Sequence, residues 1–247
     1  MNPEFATDQI EALRRLLPQV EKKLGQMGAL SFATVHWTFL CAAAMRGPLT
    51  QARGASLSAD ESWRVTTEVL GFLTVLASRI ASSFGPQVRE DLMDDLVPRV
   101  VPDVVQLTWQ RIPGAAPEAK QGEFQRTVIN QTFENLYKAS GDYAGCTSIE
   151  GGGGPEHWLE EETLVGVFGR ATSHTLEVEL DPMTRLMLSR IMLEPILFGP
   201  LDLNFIRSVR SVAAALRGIA HDRVETRAGQ FFWLTSDTGC HCRQPSS

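Results

Sequence analysis

Residues 58–80 read SADESWRVTTEVLGFLTVLASRI, and this stretch decides the fold. Ser58 and Glu61 have the spacing of a capping box, in which each side chain reaches the other's backbone N–H. Beyond them Trp63, Val69, Leu70, Leu73, Leu76 and Ile80 recur at threes and fours. That is the period of a helix with a broad buried face. Phe84-Gly85-Pro86 ends it with a residue free to turn and a residue that cannot donate.

Toward the N-terminus, Leu24 to Met45 lie between Lys23 and Arg46 without a formal charge. The length meets the requirement of about 20 residues for a membrane span. The content does not, because Gly25, Gln26, Gly28, Ser31, Thr34, His36 and Thr38 dilute the apolar residues. Leu30, Val35, Trp37, Phe39 and Leu40 instead give the wide apolar surface of a buried bundle helix. An amphipathic helix with Ile10, Leu13, Leu17 and Val20 on one face precedes it, and Pro18 predicts a kink there.

Toward the C-terminus, a helix starts near Pro86 and runs toward Trp109, with Pro98 and Pro102 expected to interrupt it. Phe124 to Ala139 is the next helix, and Val128, Ile129, Phe133, Leu136 and Tyr137 form its apolar side. Residues 141–155 then hold six glycines, four of them consecutive at 151–154. Such a run packs nothing and reads as a linker or loop. It lacks the Lys-Ser/Thr ending of a phosphate-binding P-loop.

Past the glycines, Leu164 to Phe168 and Leu176 to Leu180 read as strands around a turn at Gly169; the second alternates apolar residues with Glu177 and Glu179. Asp181-Pro182 is an N-cap followed by a first-turn proline, opening a methionine-rich helix at 183–193. Leu203 to Arg217 forms a last helix closed by Gly218, and residues 224–226 and 230–235 suggest a hairpin. The expected fold is mainly α. A multi-helix bundle spans 6–140, and a smaller α+β part with short antiparallel strands spans 156–236, before a loose tail at 237–247.

Composition bounds the function. With 247 residues, 43% of them hydrophobic, the chain can bury a sizeable core and is not intrinsically disordered. A net charge of −6 argues against a nucleic-acid binder. Four cysteines in this length are no disulfide framework, which points to a reducing, cytoplasmic setting.

Several constellations could carry chemistry. Glu90-Asp91-Leu92-Met93-Asp94-Asp95 would stack carboxylates on one helix face, and Asp91, Asp94 and Asp95 are candidate Mg²⁺ ligands. These six residues resemble the aspartate-rich helix of all-α prenyl-diphosphate enzymes, although the second metal motif of those enzymes is missing. The competing explanation is that the acidic residues complement the positive end of the helix dipole. Cys240-His241-Cys242 offers soft ligands for zinc or Cu(I), with Cys240 and Cys242 as candidate thiolates. Glu160-Glu161-Glu162 reads as a solvated face, and His221-Asp222 as a bare dipeptide of the metal-dependent HD phosphohydrolase type. No Glu-x-x-His, His-Glu-x-x-His or Gly-x-Ser-x-Gly occurs. Arg207, Arg210 and Arg217 share a helix face opposite Val209, Val212 and Leu216.

No catalytic set is complete, so the leading expectation is a non-enzymatic helical interaction protein: a regulator, adaptor or subunit of an assembly, with a protein partner or a second copy of itself. Its hallmark would be an exposed apolar patch, with the methionine-rich helix as one source. A second expectation is a helical domain for a small molecule or an unidentified cofactor, with His36, Trp37, Trp63 and Trp109 lining the pocket. A third is a Mg²⁺-dependent enzyme for a phosphorylated substrate.

Overall fold

The Ser58 hydroxyl accepts from the Glu61 N–H at 3.2 Å, and the Glu61 carboxylate accepts from the Ser58 N–H at 2.8 Å. Both halves of the capping box are therefore made, and they open helix α2 (Ala59–Ser82). These contacts come from a computed structural model, which describes residues 7–110, 118–146, 163–193 and 205–218. The other helices among those residues are α1 (Thr7–Arg53), α3 (Pro86–Gln110), α4 (Glu118–Asp142), α5 (Leu164–Thr175), α6 (Pro182–Leu193) and α7 (Phe205–Leu216).

Helix α2 is the axis of the molecule, in contact with α1, α3, α4, α5 and α7. Every residue from Val69 to Ala77 is buried. The polar residues in this interior satisfy themselves. Thr74 donates to the Leu70 and Gly71 carbonyls, and Thr66 and Thr67 donate to Ser62 and Arg64. The same device operates in α1, where Ser31, Thr34 and Thr38 donate to carbonyls four residues earlier. A hydroxyl bonded within its own helix loses little on burial, so the diluted stretch at 24–45 can still be core. Leu30, Trp37, Met45 and Leu49 are almost fully enclosed.

Helix α1 changes direction at Gly25, whose φ of 71° lies in the left-handed region that glycine alone enters cheaply. The helical run passes through Pro18, Pro48, Pro98 and Pro102, so the prolines do not divide it as expected. Pro18 and Pro98 are exposed, so the groups their rings leave unbonded lie toward water. At the far end of α1, Arg53 pairs with Glu61 at 2.7 Å, both largely shielded, and clamps α1 to the start of α2.

The expected short antiparallel strands are not found: the described residues contain helices and connections but no strand. Residues 164–168 are the first turns of α5, capped by the Thr163 hydroxyl, which accepts from the Gly166 N–H at 2.9 Å. Leu164, Val165, Gly166, Val167 and Phe168 are all buried. A short run that is apolar on every side has no period to distinguish a buried helix from a buried strand, and here the cap decides. Residues 176–180 do alternate in burial, with Leu176 and Leu180 inside and Glu177 and Glu179 exposed. Their backbone groups bond to the end of α5 instead of a neighbouring strand. Val178 N donates to the Ser173 carbonyl, and the Ser173 hydroxyl binds the Val178 carbonyl and the Leu180 N–H. The hairpin expected at 224–226 and 230–235 lies outside the described residues, as do most of the glycine segment and the tail.

Helices α5 to α7 pack onto the first three: α1 meets α6 and α7, α2 meets α5 and α7, and α3 meets α7. Buried residues from both halves belong to one apolar core. The Cys41 thiol lies 3.8 Å from the Ile191 carbonyl at the α1–α6 contact. Cys41 and Cys146 are both buried free thiols.

Candidate functional site

Apart from Glu68 and Arg79, residues 65–81 of α2 carry no charge, and these two residues organise the polar interior. Glu68 is half-buried and accepts from the Thr175 hydroxyl at 2.7 Å, at the C-terminus of α5. Burial raises its carboxyl above the ordinary range, with the nearby Asp142 charge adding to that; the Thr175 bond, Lys138 and His174 oppose it. Arg79, three turns on, donates to the carbonyls of Tyr143 and Cys146 and secures the turn that follows α4. Tyr143 itself is fully enclosed. Its ring meets Phe72 edge-on at 6.0 Å, and Phe72 in turn meets Phe168 edge-on at 5.6 Å. The Tyr143 hydroxyl has no hydrogen-bond partner among the described residues. Burial, reinforced by the Glu68 charge, pushes its pKa well up, so it stays protonated. Burial likewise raises the Cys146 thiol, against the pull of Arg79 and Arg170.

His174 connects this interior to a surface cleft of about 430 Å³ between α5 and α6. Arg170 and His174, one turn apart on α5, line one side, and Arg185 of α6 lines the other. Ser173, Glu177 and Glu179 complete the rim. The Arg185 stem passes close to α5 at Gly169, 3.6 to 3.8 Å from where a Cβ would stand, an ordinary contact distance. The Arg185 Nε is buried and has no hydrogen-bond partner among the described residues. Asp181 caps α6 beneath the cleft: its carboxylate accepts from the Met183 and Thr184 N–H groups at 2.9 and 3.0 Å. Those bonds, the Thr184 hydroxyl first, hold the carboxyl below the ordinary range.

The structure distributes the residues proposed from sequence over other regions. His36 is half-buried on α1, with Nδ1 2.9 Å from the Phe32 carbonyl and its ring tilted against Phe32. Trp37 is enclosed in the core and Trp63 packs partly against it. Trp109 lies in the last turn of α3, and its side chain is outside the described set. His36, Trp37 and Trp63 do not line the α5–α6 cleft. Asp91 and Asp94 are exposed on α3; Asp91 accepts from Gln87 and Asp95 pairs with Arg99 at 2.6 Å. Among the described residues no three His, Cys, Asp or Glu side chains converge as metal ligands would. Cys240, His241 and Cys242, Glu160 to Glu162 and His221-Asp222 lie outside the described residues. On α7, Arg207 is exposed and Arg210 half-buried, opposite the enclosed Val209 and Val212; Leu216, expected on that apolar face, is exposed, as is Arg217 just past the helix end.

Helix α4 departs from its expected apolar side. Val128, Thr132 and Leu136 are buried, with the Thr132 hydroxyl bonded to the Val128 carbonyl at 2.7 Å. Phe133 and Tyr137 point outward, 37% and 86% exposed. Met183, expected on an apolar patch, is also 65% exposed, whereas Met192 is enclosed.

Sequence reasoning passed over Glu68, Arg79, Tyr143, Thr175 and Arg185. The signal for the first two was their isolation in an otherwise uncharged helix. The others carried none, because their partners are distant in the chain. Comparison with known protein families, with curated proteins and with solved structures finds no match to this chain.

Proposed function

We propose that the protein is a non-enzymatic helical subunit or regulator that assembles with a second copy of itself through the outer face of α4. The observation that carries this is the outward pair Phe133 and Tyr137, one turn apart on a helix whose opposite face is already buried. An aromatic pair in water is costly to keep and typical of contact surfaces. The flanking charges favour a second copy as the occupant. Glu134 and Lys138 are both exposed beside the aromatic pair. In an antiparallel α4 pair with its two-fold axis near residue 136, each Glu134 meets the other copy's Lys138, as an isologous contact requires. One helix face per copy is a small contact, so the association is weak and concentration-dependent.

Among the described residues, two helices are apolar enough to cross a membrane, and they bury 67% and 78% of their most hydrophobic windows within the molecule. That burial supports a soluble assembly.

Sedimentation equilibrium of the full chain tests the reading. A monomer–dimer equilibrium is expected, abolished by Phe133→Ser with Tyr137→Ser. Glu134→Lys alone weakens it, and adding Lys138→Glu in the same chain restores it. A monomer at every concentration, or a dimer indifferent to the charge reversals, overturns it.

A further inference from the structure

We infer that the cleft between α5 and α6 binds a small anion, a carboxylate or a phosphate monoester, with Arg185 as its principal contact. The cleft lies in the size range of small-molecule sites, which extends from about 300 to 1,000 Å³. Its decisive feature is Arg185, a half-buried side chain that lines the cleft and whose enclosed Nε has no acceptor among the described residues. Buried polar groups are nearly always bonded, and guanidinium groups bond best to the planar oxygens of carboxylate and phosphate. The stem of Arg185 runs alongside α5 at Gly169, which limits the freedom the side chain loses when a ligand binds.

The surroundings fit an anion of limited size. Arg170 and His174 supply further donors from the facing helix. Ser173 is committed to the Val178 carbonyl and the Leu180 N–H, so it fixes the rim and leaves binding to its neighbours. Glu177 holds the left-handed conformation at φ 53°, the single positive-φ residue other than glycine among the described residues. A side chain kept at a position that favours glycine is a mark of functional sites. Its carboxylate and that of Glu179 stand exposed at the rim, where they disfavour extended polyanions.

The test follows the Arg185 Nε–H resonance in the isotopically labelled full chain during titration with inorganic phosphate, and separately with acetate, at constant ionic strength set by chloride. A saturable shift with at least one of the two is expected, and the anion that produces it identifies the class. Arg185→Met keeps the stem on Gly169 and should abolish the saturable response of the Arg170 and His174 signals. Arg185→Lys, which lacks the Nε donor, should bind at least about tenfold more weakly. No saturable shift in the wild-type chain, or an equal response in Arg185→Met, overturns the inference. The wild-type titration decides the matter even if a variant does not fold.

Discussion

The Thr175 hydroxyl donates to the Glu68 carboxylate at 2.7 Å and ties the end of α5 to the middle of α2 across 107 residues of chain. The Arg64 guanidinium reaches the Thr175 carbonyl as well, at 3.4 Å. This junction lies directly behind the α5–α6 cleft, because His174 is the neighbour of Thr175 and lines that cleft.

Glu68 gives the junction a pH dependence of definite sign. Burial raises its carboxyl pKa in the folded state, so the folded protein holds that proton more tightly than the unfolded chain does. Its contribution is fully present below the ordinary carboxylate value and is lost as pH rises through the raised one. Glu68→Gln, which keeps an acceptor for Thr175, should match the wild type in thermal midpoint at low pH and exceed it at neutral pH. Paired melts across that window check the sign; a variant less stable at neutral pH would contradict it.

Tyr143 is enclosed, its hydroxyl without a partner among the described residues and next to a carboxylate that disfavours its ionisation. An unsatisfied buried hydroxyl costs more than it returns, so Tyr143→Phe should raise stability by about 1 kcal/mol. Urea midpoints at unchanged slope measure this. A fall of similar size would show that the hydroxyl is bonded.

Gly169 discriminates between the two conformations considered for its segment. It lies inside α5, and an added Cβ would meet the Arg185 stem at 3.6 Å, an ordinary contact. Gly169→Ala should therefore stabilise the protein by roughly 0.5–1 kcal/mol, the usual difference between these residues in a helix. Chemical denaturation reads it directly. Destabilisation would mean that the position needs the freedom of a turn.

Much of this architecture is legible in single stretches of sequence because the forces are local. The Ser58–Glu61 box and the Asp181 cap each satisfy helix-end donors within three residues, and both form as the spacing implies. Residues 164–168 were misread because a segment buried on every side has no polar face to set a period. In α4 two apolar rows coexist: Val128 and Leu136 on one, Phe133 and Tyr137 on another. Spacing alone assigned both rows to the core, and only the packing of α2 and α3 against α4 chooses between them. The interior around Glu68 and Arg79 was invisible for the opposite reason, since each bond there joins residues more than sixty positions apart.

The Arg79 clasp on the Tyr143 and Cys146 carbonyls has a consequence for how the chain acquires this structure. The contacts close loops of 64 and 67 residues, whereas α1, α2 and α3 meet across short connections. Closing a long loop sacrifices more chain entropy before any contact repays it, so the three early helices assemble first and the end of α4 joins a surface already formed. Arg79 therefore acts as a latch set late in folding. A substitution there should mainly accelerate unfolding and leave the rate of initial assembly nearly unchanged.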